Sequence, residues 1–131
     1  SNGAAQDSNP AALFDHIMKQ LAPMNLAYMH LIEGQTGVAR DLSAQGIAAF
    51  DYEALRRQFK GAWILNNGYD LQMANEALAR GAADLVAFGR PFISNPDLVR
   101  RLREGAALNP LQRETLYGGG AQGYIDYPAL P

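Results

Sequence analysis

The sequence predicts an α/β fold built on a parallel sheet, and three observations carry that prediction. Short apolar runs alternate with amphipathic helical stretches in the order helix, strand, helix, strand, helix, strand, helix. This is the pattern of βα units joined by right-handed crossovers, which set the helices on one outer surface. The run 85–88, LVAF, is short, bounded and wholly apolar, as a strand buried on both faces would be. Helix starts combine an Asn cap with proline at the first helical position, at Asn9-Pro10 and Asn95-Pro96.

In chain order, residues 1–6 are small and polar and read as a disordered start or a cloning remnant. The first helix opens at Ser8 or Asn9 with Pro10 next, shows Leu13, Ile17 and Leu21 on one face, and ends at Pro23. A strand over 26–32 (LAYMHLI) follows, then a flexible loop over 33–37. His30 lies in that strand and reads as a packed, hydrogen-bonded core residue. Glu33, at its carboxyl end, reads as a loop carboxylate.

Residues 41–50 carry little signal. Asp51 then caps a helix running to about Phe59, with Ala54, Leu55 and Phe59 inward and Arg56 and Arg57 on a solvated face. The strand 62–65 (AWIL) leads into Asn66-Asn67-Gly68-Tyr69-Asp70, where Asn and Gly tolerate unusual backbone angles and Asp70 caps the next helix. That helix, 71–80, places Leu71, Ala74, Ala77 and Leu78 on one face and stops at Gly81. After the strand 85–88 comes a helix from Pro96 to about Glu104. Asp97 lies in its first turn and Arg100, Arg101 and Arg103 toward its end, each sign where the helix dipole favours it. From Gly105 the chain is an irregular tail, with Tyr117, Tyr124 and Tyr127 around a run of three glycines.

Composition sets bounds on function. The 131 residues suffice for one domain but not for a complete (β/α)8 barrel, which takes ~250. The net charge of −2 leaves no basic surface of the kind nucleic acid requires. No apolar run approaches the ~20 residues of a membrane span. Cysteine is absent, which excludes disulfides and fits the cytoplasm. Two histidines are too few for a histidine-rich metal site.

Two turns can carry chemistry. Gly89 at the carboxyl end of a strand lets backbone approach a ligand, and the adjacent Arg90 guanidinium matches phosphate geometry. The plain alternative is a tight strand-to-helix turn with a solvated arginine. The turn at 66–70 could likewise cradle an anion with its backbone amides, or simply connect strand to helix. The tyrosine-rich tail either covers an apolar ligand or packs over the strand ends.

The segments AFGRPFISNPDLVRRL (87–102) and LNPLQRETLYGGGAQGYIDYP (108–128) closely resemble the C-terminal end of the Old Yellow Enzyme family, the NADH:flavin oxidoreductases or alkene reductases. The resemblance covers the chain from about Asp7 to Pro131 and implies an FMN-bearing (β/α)8 TIM barrel. This chain would be its C-terminal portion, about strands six to eight with their helices, as one partial domain with an irregular tail over 105–131. The family binds the FMN phosphate at the loops after strands seven and eight. The resemblance therefore implies cofactor-binding roles for Asn67, Gly68, Gly89 and Arg90, with Asn66 as a neighbour and Tyr117 bordering flavin and substrate. Asn66-Asn67 is bulkier than the small residues usual in that loop, and Leu116 stands where relatives often carry an aromatic.

The implied activity is reduction of activated alkenes by hydride from NAD(P)H by way of FMN. The groups that activate the substrate belong to earlier barrel segments, so no catalytic residue and no metal site is expected in this chain. The alternative is a non-catalytic phosphate-binding or assembly module derived from such a barrel. Open sheet edges further predict self-association or the rest of the barrel as a partner.

Overall fold

The computed structural model describes residues 7–34, 50–117 and 119–131. The readings of 1–6, of the loop at 35–37, of 41–49 and of Gly118 lie outside these. The chain divides into two compact units, the first ending at Ala87 and the second comprising Phe88–Pro131; each is described by itself.

In the first unit, α1 (Pro10–Leu21) begins where expected: the Asn9 side chain accepts from the Ala12 amide and Pro10 takes the first helical position. Pro23 does not stop the chain's winding. The helix tightens into a 3-10 turn over Ala22–Met24, and Asn25, at φ 52°, reverses direction after it. Proline suits the opening of a new turn because its missing N–H has no partner there.

The sheet is fully parallel, in the order β1 (Tyr28–Ile32), β2 (Ala62–Asn66), β3 (Leu85–Ala87). Register pairs Met29 with Trp63 and Leu31 with Leu65, and Leu65 with Val86. These side chains share one face because residues alternate along a strand. Trp63 and Leu65 are fully buried there, with Leu55, Phe59, Ala74 and Ala77 in the same core. The Phe59 and Trp63 rings lie 6.1 Å apart. Burial of each large side chain stabilises the unit by roughly 1.5–3 kcal/mol.

The opposite face is open: Tyr28 is 58%, Ile32 52% and Leu85 53% exposed. This corrects the expectation that 85–88 is buried on both faces. β3 is an edge strand covered on one side only, so Leu85 faces outward although its composition suits a fully buried strand. His30 is likewise on the open face and exposed, not a core residue, and its Nε2 lies 3.3 Å from the Asn66 amide.

The helices α2 (Tyr52–Arg56) and α3 (Leu71–Ala79) start at their predicted caps, Asp51 and Asp70, whose carboxylates accept from the Ala54 and Met73 amides. α2 is shorter than the sequence implies, ending before Phe59. Arg56 is not simply solvated. It donates to the Phe59 carbonyl and pairs at 2.9 Å with Asp84, which also accepts from the Trp63 amide. Arg57 stays exposed. On α3, Ala74 and Ala77 are buried while Leu71 and Leu78 remain largely exposed.

The second unit departs most from expectation. A short helix α4 (Arg90–Ser94) follows Gly89 directly, and α5 (Leu98–Glu104) starts later than Pro96, with Asp97 at its cap position. Asn95 therefore does not N-cap the following helix; it stands at the C-terminal end of α4. Its fully buried amide donates to the Pro91 carbonyl at 2.8 Å, and its oxygen accepts from the Asn109 N–H at 2.7 Å. Arg101, read only as a charge that the helix dipole favours, is buried. It donates to Asp97 and to the carbonyls of Ala107 and Pro128. The tail is irregular, with one 3-10 turn over Arg113–Thr115, yet it is bonded in place. Asp97 accepts from the Leu130 amide at 2.7 Å, and the Tyr127 hydroxyl accepts from Gln112. Among the described residues no helix is long and apolar enough to cross a membrane.

Candidate functional site

The turn after β2 is a left-handed reversal. Asn67 has φ 99° and Gly68 φ 69°. Glycine enters this region without a Cβ clash, whereas an asparagine there needs compensation. The compensation comes from Glu33, one residue past β1. The Asn67 side-chain amide donates to the Glu33 carbonyl. The Glu33 N–H donates to the Asn66 carbonyl at 3.1 Å, continuing the ladder beyond the strand. The Glu33 carboxylate accepts from the Tyr69 hydroxyl at 2.5 Å. Next along the chain, the Gly34 N–H donates to the Tyr52 hydroxyl.

Glu33 is thus a buried structural acceptor, 7% exposed, rather than a solvated loop carboxylate. Sequence parity could have revealed this, because 29, 31 and 33 continue one alternating series and Met29 and Leu31 face the helices. Tyr69, 8% exposed, was missed with it. Nothing local distinguishes it from any other turn aromatic.

The turn after β3 is built differently. Gly89 has φ −90° and ψ −83°, and a Cβ placed on it would meet no described residue within 4 Å. The fold therefore does not itself demand glycine there; the space in front of its backbone is open. Arg90 opens α4 and is exposed, and its side chain forms no hydrogen bond or ion pair with another described residue. Behind them, Asn95 closes α4 through the Pro91 carbonyl.

Asn67 and Gly68 thus share one turn of the first unit, and Gly89 and Arg90 one turn of the second. Tyr117 lies in the tail, 83% exposed, while Leu116 before it is buried. Tyr117, Leu116, Thr115 and Tyr124 border a cavity of about 160 Å³. A second cavity, about 240 Å³, lies on the helix side of the first unit beside Glu33, Tyr52, Leu65 and Arg80. Both are below the ~300 Å³ at which pockets begin to take ligands of drug size. Among the described residues no group of three His, Asp or Glu side chains could hold a metal.

Among the described residues, two carboxylates are perturbed. The Leu130 amide and the Arg101 guanidinium hold Asp97 below the ordinary carboxylate range. Lys19 and Gln58 do the same for Asp15 on α1. Both serve structure: each is occupied by neighbours within its own unit.

A three-stranded parallel sheet with helices between its strands makes this an α/β protein, an architecture consistent with part of a barrel. The model of the NADH:flavin oxidoreductase / NADH oxidase family matches residues 4–109, and the chain belongs to that family. It is 37% identical over 125 residues to 12-oxophytodienoate reductase 2 of Arabidopsis thaliana, covering 95% of this chain and 33% of that protein. It is 40% identical over 128 residues to 12-oxophytodienoate reductase 1 of Oryza sativa subsp. japonica, covering 95% and 32%. Among solved structures, morphinone reductase superposes with TM-score 0.81 at 41% identity, covering 95% of this chain and 32% of that one. The old yellow enzyme from Trypanosoma cruzi superposes with TM-score 0.81 at 38% identity, covering 95% and 31%. The chain spans about a third of the length of these relatives.

Proposed function

We propose that this chain is the FMN-phosphate-binding portion of an NAD(P)H-dependent flavin oxidoreductase that reduces activated alkenes, corresponding to about strands six to eight of its barrel. The family match over residues 4–109 carries this reading, and the relatives named above are reductases. When bound, FMN would supply the hydride chemistry between the nicotinamide cofactor and the alkene; the protein's part is binding and orientation.

Each of the two turns, taken by itself, suits a phosphate group. Gly89 leaves open space where a side chain would stand, so an oxygen could approach its backbone closely. Arg90 offers an exposed guanidinium that no other described residue engages, suited to charge-assisted hydrogen bonds. Gly68 turns its backbone in the left-handed region, where successive amides form anion-binding concavities. The Asn67 side chain is bonded to Glu33, so its proposed contribution is through the backbone. Tyr117, exposed in the tail, is proposed to border the flavin and the alkene.

The test is titration of the protein, expressed from its natural gene, with FMN followed by flavin fluorescence, together with alkene-dependent NADH oxidation. Saturable binding weakened by Arg90→Ala, with turnover of an α,β-unsaturated ketone, is expected. Binding that Arg90→Ala leaves unchanged would remove the phosphate assignment. Binding without turnover would favour a non-catalytic module.

A further inference from the structure

We infer that Glu33 is a positioning residue for the phosphate turn: it fixes the left-handed Asn67-Gly68 conformation and so sets the protein's preference for the phosphorylated flavin. The inference rests on the proposed FMN-phosphate reading and deepens it.

Among the described residues, Glu33 bonds one short segment through both of its backbone groups and through its carboxylate. Its N–H bonds the Asn66 carbonyl, its carbonyl accepts from the Asn67 side chain, and its carboxylate accepts from the Tyr69 hydroxyl. The turn is therefore held before, at and after its two left-handed residues. A non-glycine residue at φ 99° costs on the order of 1–3 kcal/mol and persists only where surrounding bonds over-determine it. A carboxylate 7% exposed also needs donors if burial is not to be prohibitive, and it finds one in Tyr69. Two requirements meet in one residue: the strained turn needs an anchor and the buried acid needs a donor. The carboxylate lies on the alternating series that faces the helices, with Met29 and Leu31, so it can brace the turn from behind without presenting its charge on the open sheet face.

Because the turn's amides would contact phosphate but not the isoalloxazine ring, the expected signature is selective. In the protein expressed from its natural gene, Glu33→Ala should lower the ratio of FMN affinity to riboflavin affinity by about tenfold, mainly through weaker FMN binding. Tyr69→Phe, which removes only the hydroxyl, should move the ratio the same way and carries the test if Glu33→Ala does not fold. Glu33→Gln keeps an acceptor for Tyr69 and should retain most of the preference. A purely structural role for Glu33 would lower thermal stability while leaving the ratio unchanged in both Glu33→Ala and Tyr69→Phe. That result would overturn the inference alone. Equal FMN and riboflavin affinities in the wild type would overturn the phosphate reading and the inference together.

Discussion

The turns after β2 and β3 solve one local problem, ending a parallel strand before a helix, in opposite ways. After β2 the backbone is left-handed at Asn67 and Gly68 and is fastened from behind by Glu33. After β3, Gly89 has ordinary negative φ, a Cβ on it would touch no described residue, and Arg90 is engaged by no described neighbour. The first turn is shaped by the protein's own bonds, whereas the Arg90 side chain of the second bonds no other described residue. The difference separates two glycines: Gly68 answers a backbone requirement, and Gly89, on the phosphate reading proposed above, would answer a requirement for space.

The largest expected effect concerns the support behind the open turn. Asn95 is fully buried and bonded to the Pro91 carbonyl and the Asn109 amide, so Asn95→Ala should destabilise the protein by about 2–3 kcal/mol in urea unfolding, mostly from groups left unpaired. A loss below about 0.5 kcal/mol would mean that α4 is held otherwise. Arg90→Ala should leave the melting temperature unchanged, since it severs no bond among the described residues. It should weaken FMN binding by about ten- to a hundredfold. Loss of stability in that variant would break the contrast between the two turns.

The two glycines give the sharpest pairing. Gly68→Ala, forced into φ 69°, should cost about 1–2 kcal/mol of stability. Gly89→Ala should be neutral in stability to within about 0.5 kcal/mol yet weaken FMN binding, because its methyl group would occupy space open in the fold. Reversed outcomes would exchange the roles assigned to the two turns.

The smallest effect is a pH dependence. Asp97 is held below its ordinary value first by the Leu130 amide and then by Arg101. A depressed carboxylate contributes stability that is present above the unfolded-state value and lost as pH falls through the folded one. Acidification below the usual carboxylate range should therefore free the segment around Leu130, seen as faster amide exchange there. Asp97→Asn should show that faster exchange already at neutral pH and little further change on acidification. Asp15, depressed by Lys19 and Gln58, has the same sign but lies on α1, so exchange at Leu130 isolates Asp97.

Features written in adjacent residues were legible in the sequence. The caps at Asn9, Asp51 and Asp70 each bond an amide three residues on, and alternating βα units imply the parallel order. What escaped depended on partners far along the chain. The fate of Asn95 is decided by Asn109, that of Arg101 by Ala107 and Pro128, and that of Glu33 by Asn67 and Tyr69. The apolar composition of 85–88 suits a strand buried on both faces, but exposure of Leu85 depends on what stands beside the sheet, and composition does not encode that. Of the candidate site, the two turns were legible as positions; that one is braced and the other open was not.

The most direct measurement of the central claim is calorimetric titration of the protein, expressed from its natural gene, with FMN and with riboflavin, repeated for Arg90→Ala. A phosphate-binding role predicts that FMN binds at least about tenfold more tightly than riboflavin and that Arg90→Ala removes most of the difference. Equal affinities for the two flavins would contradict it.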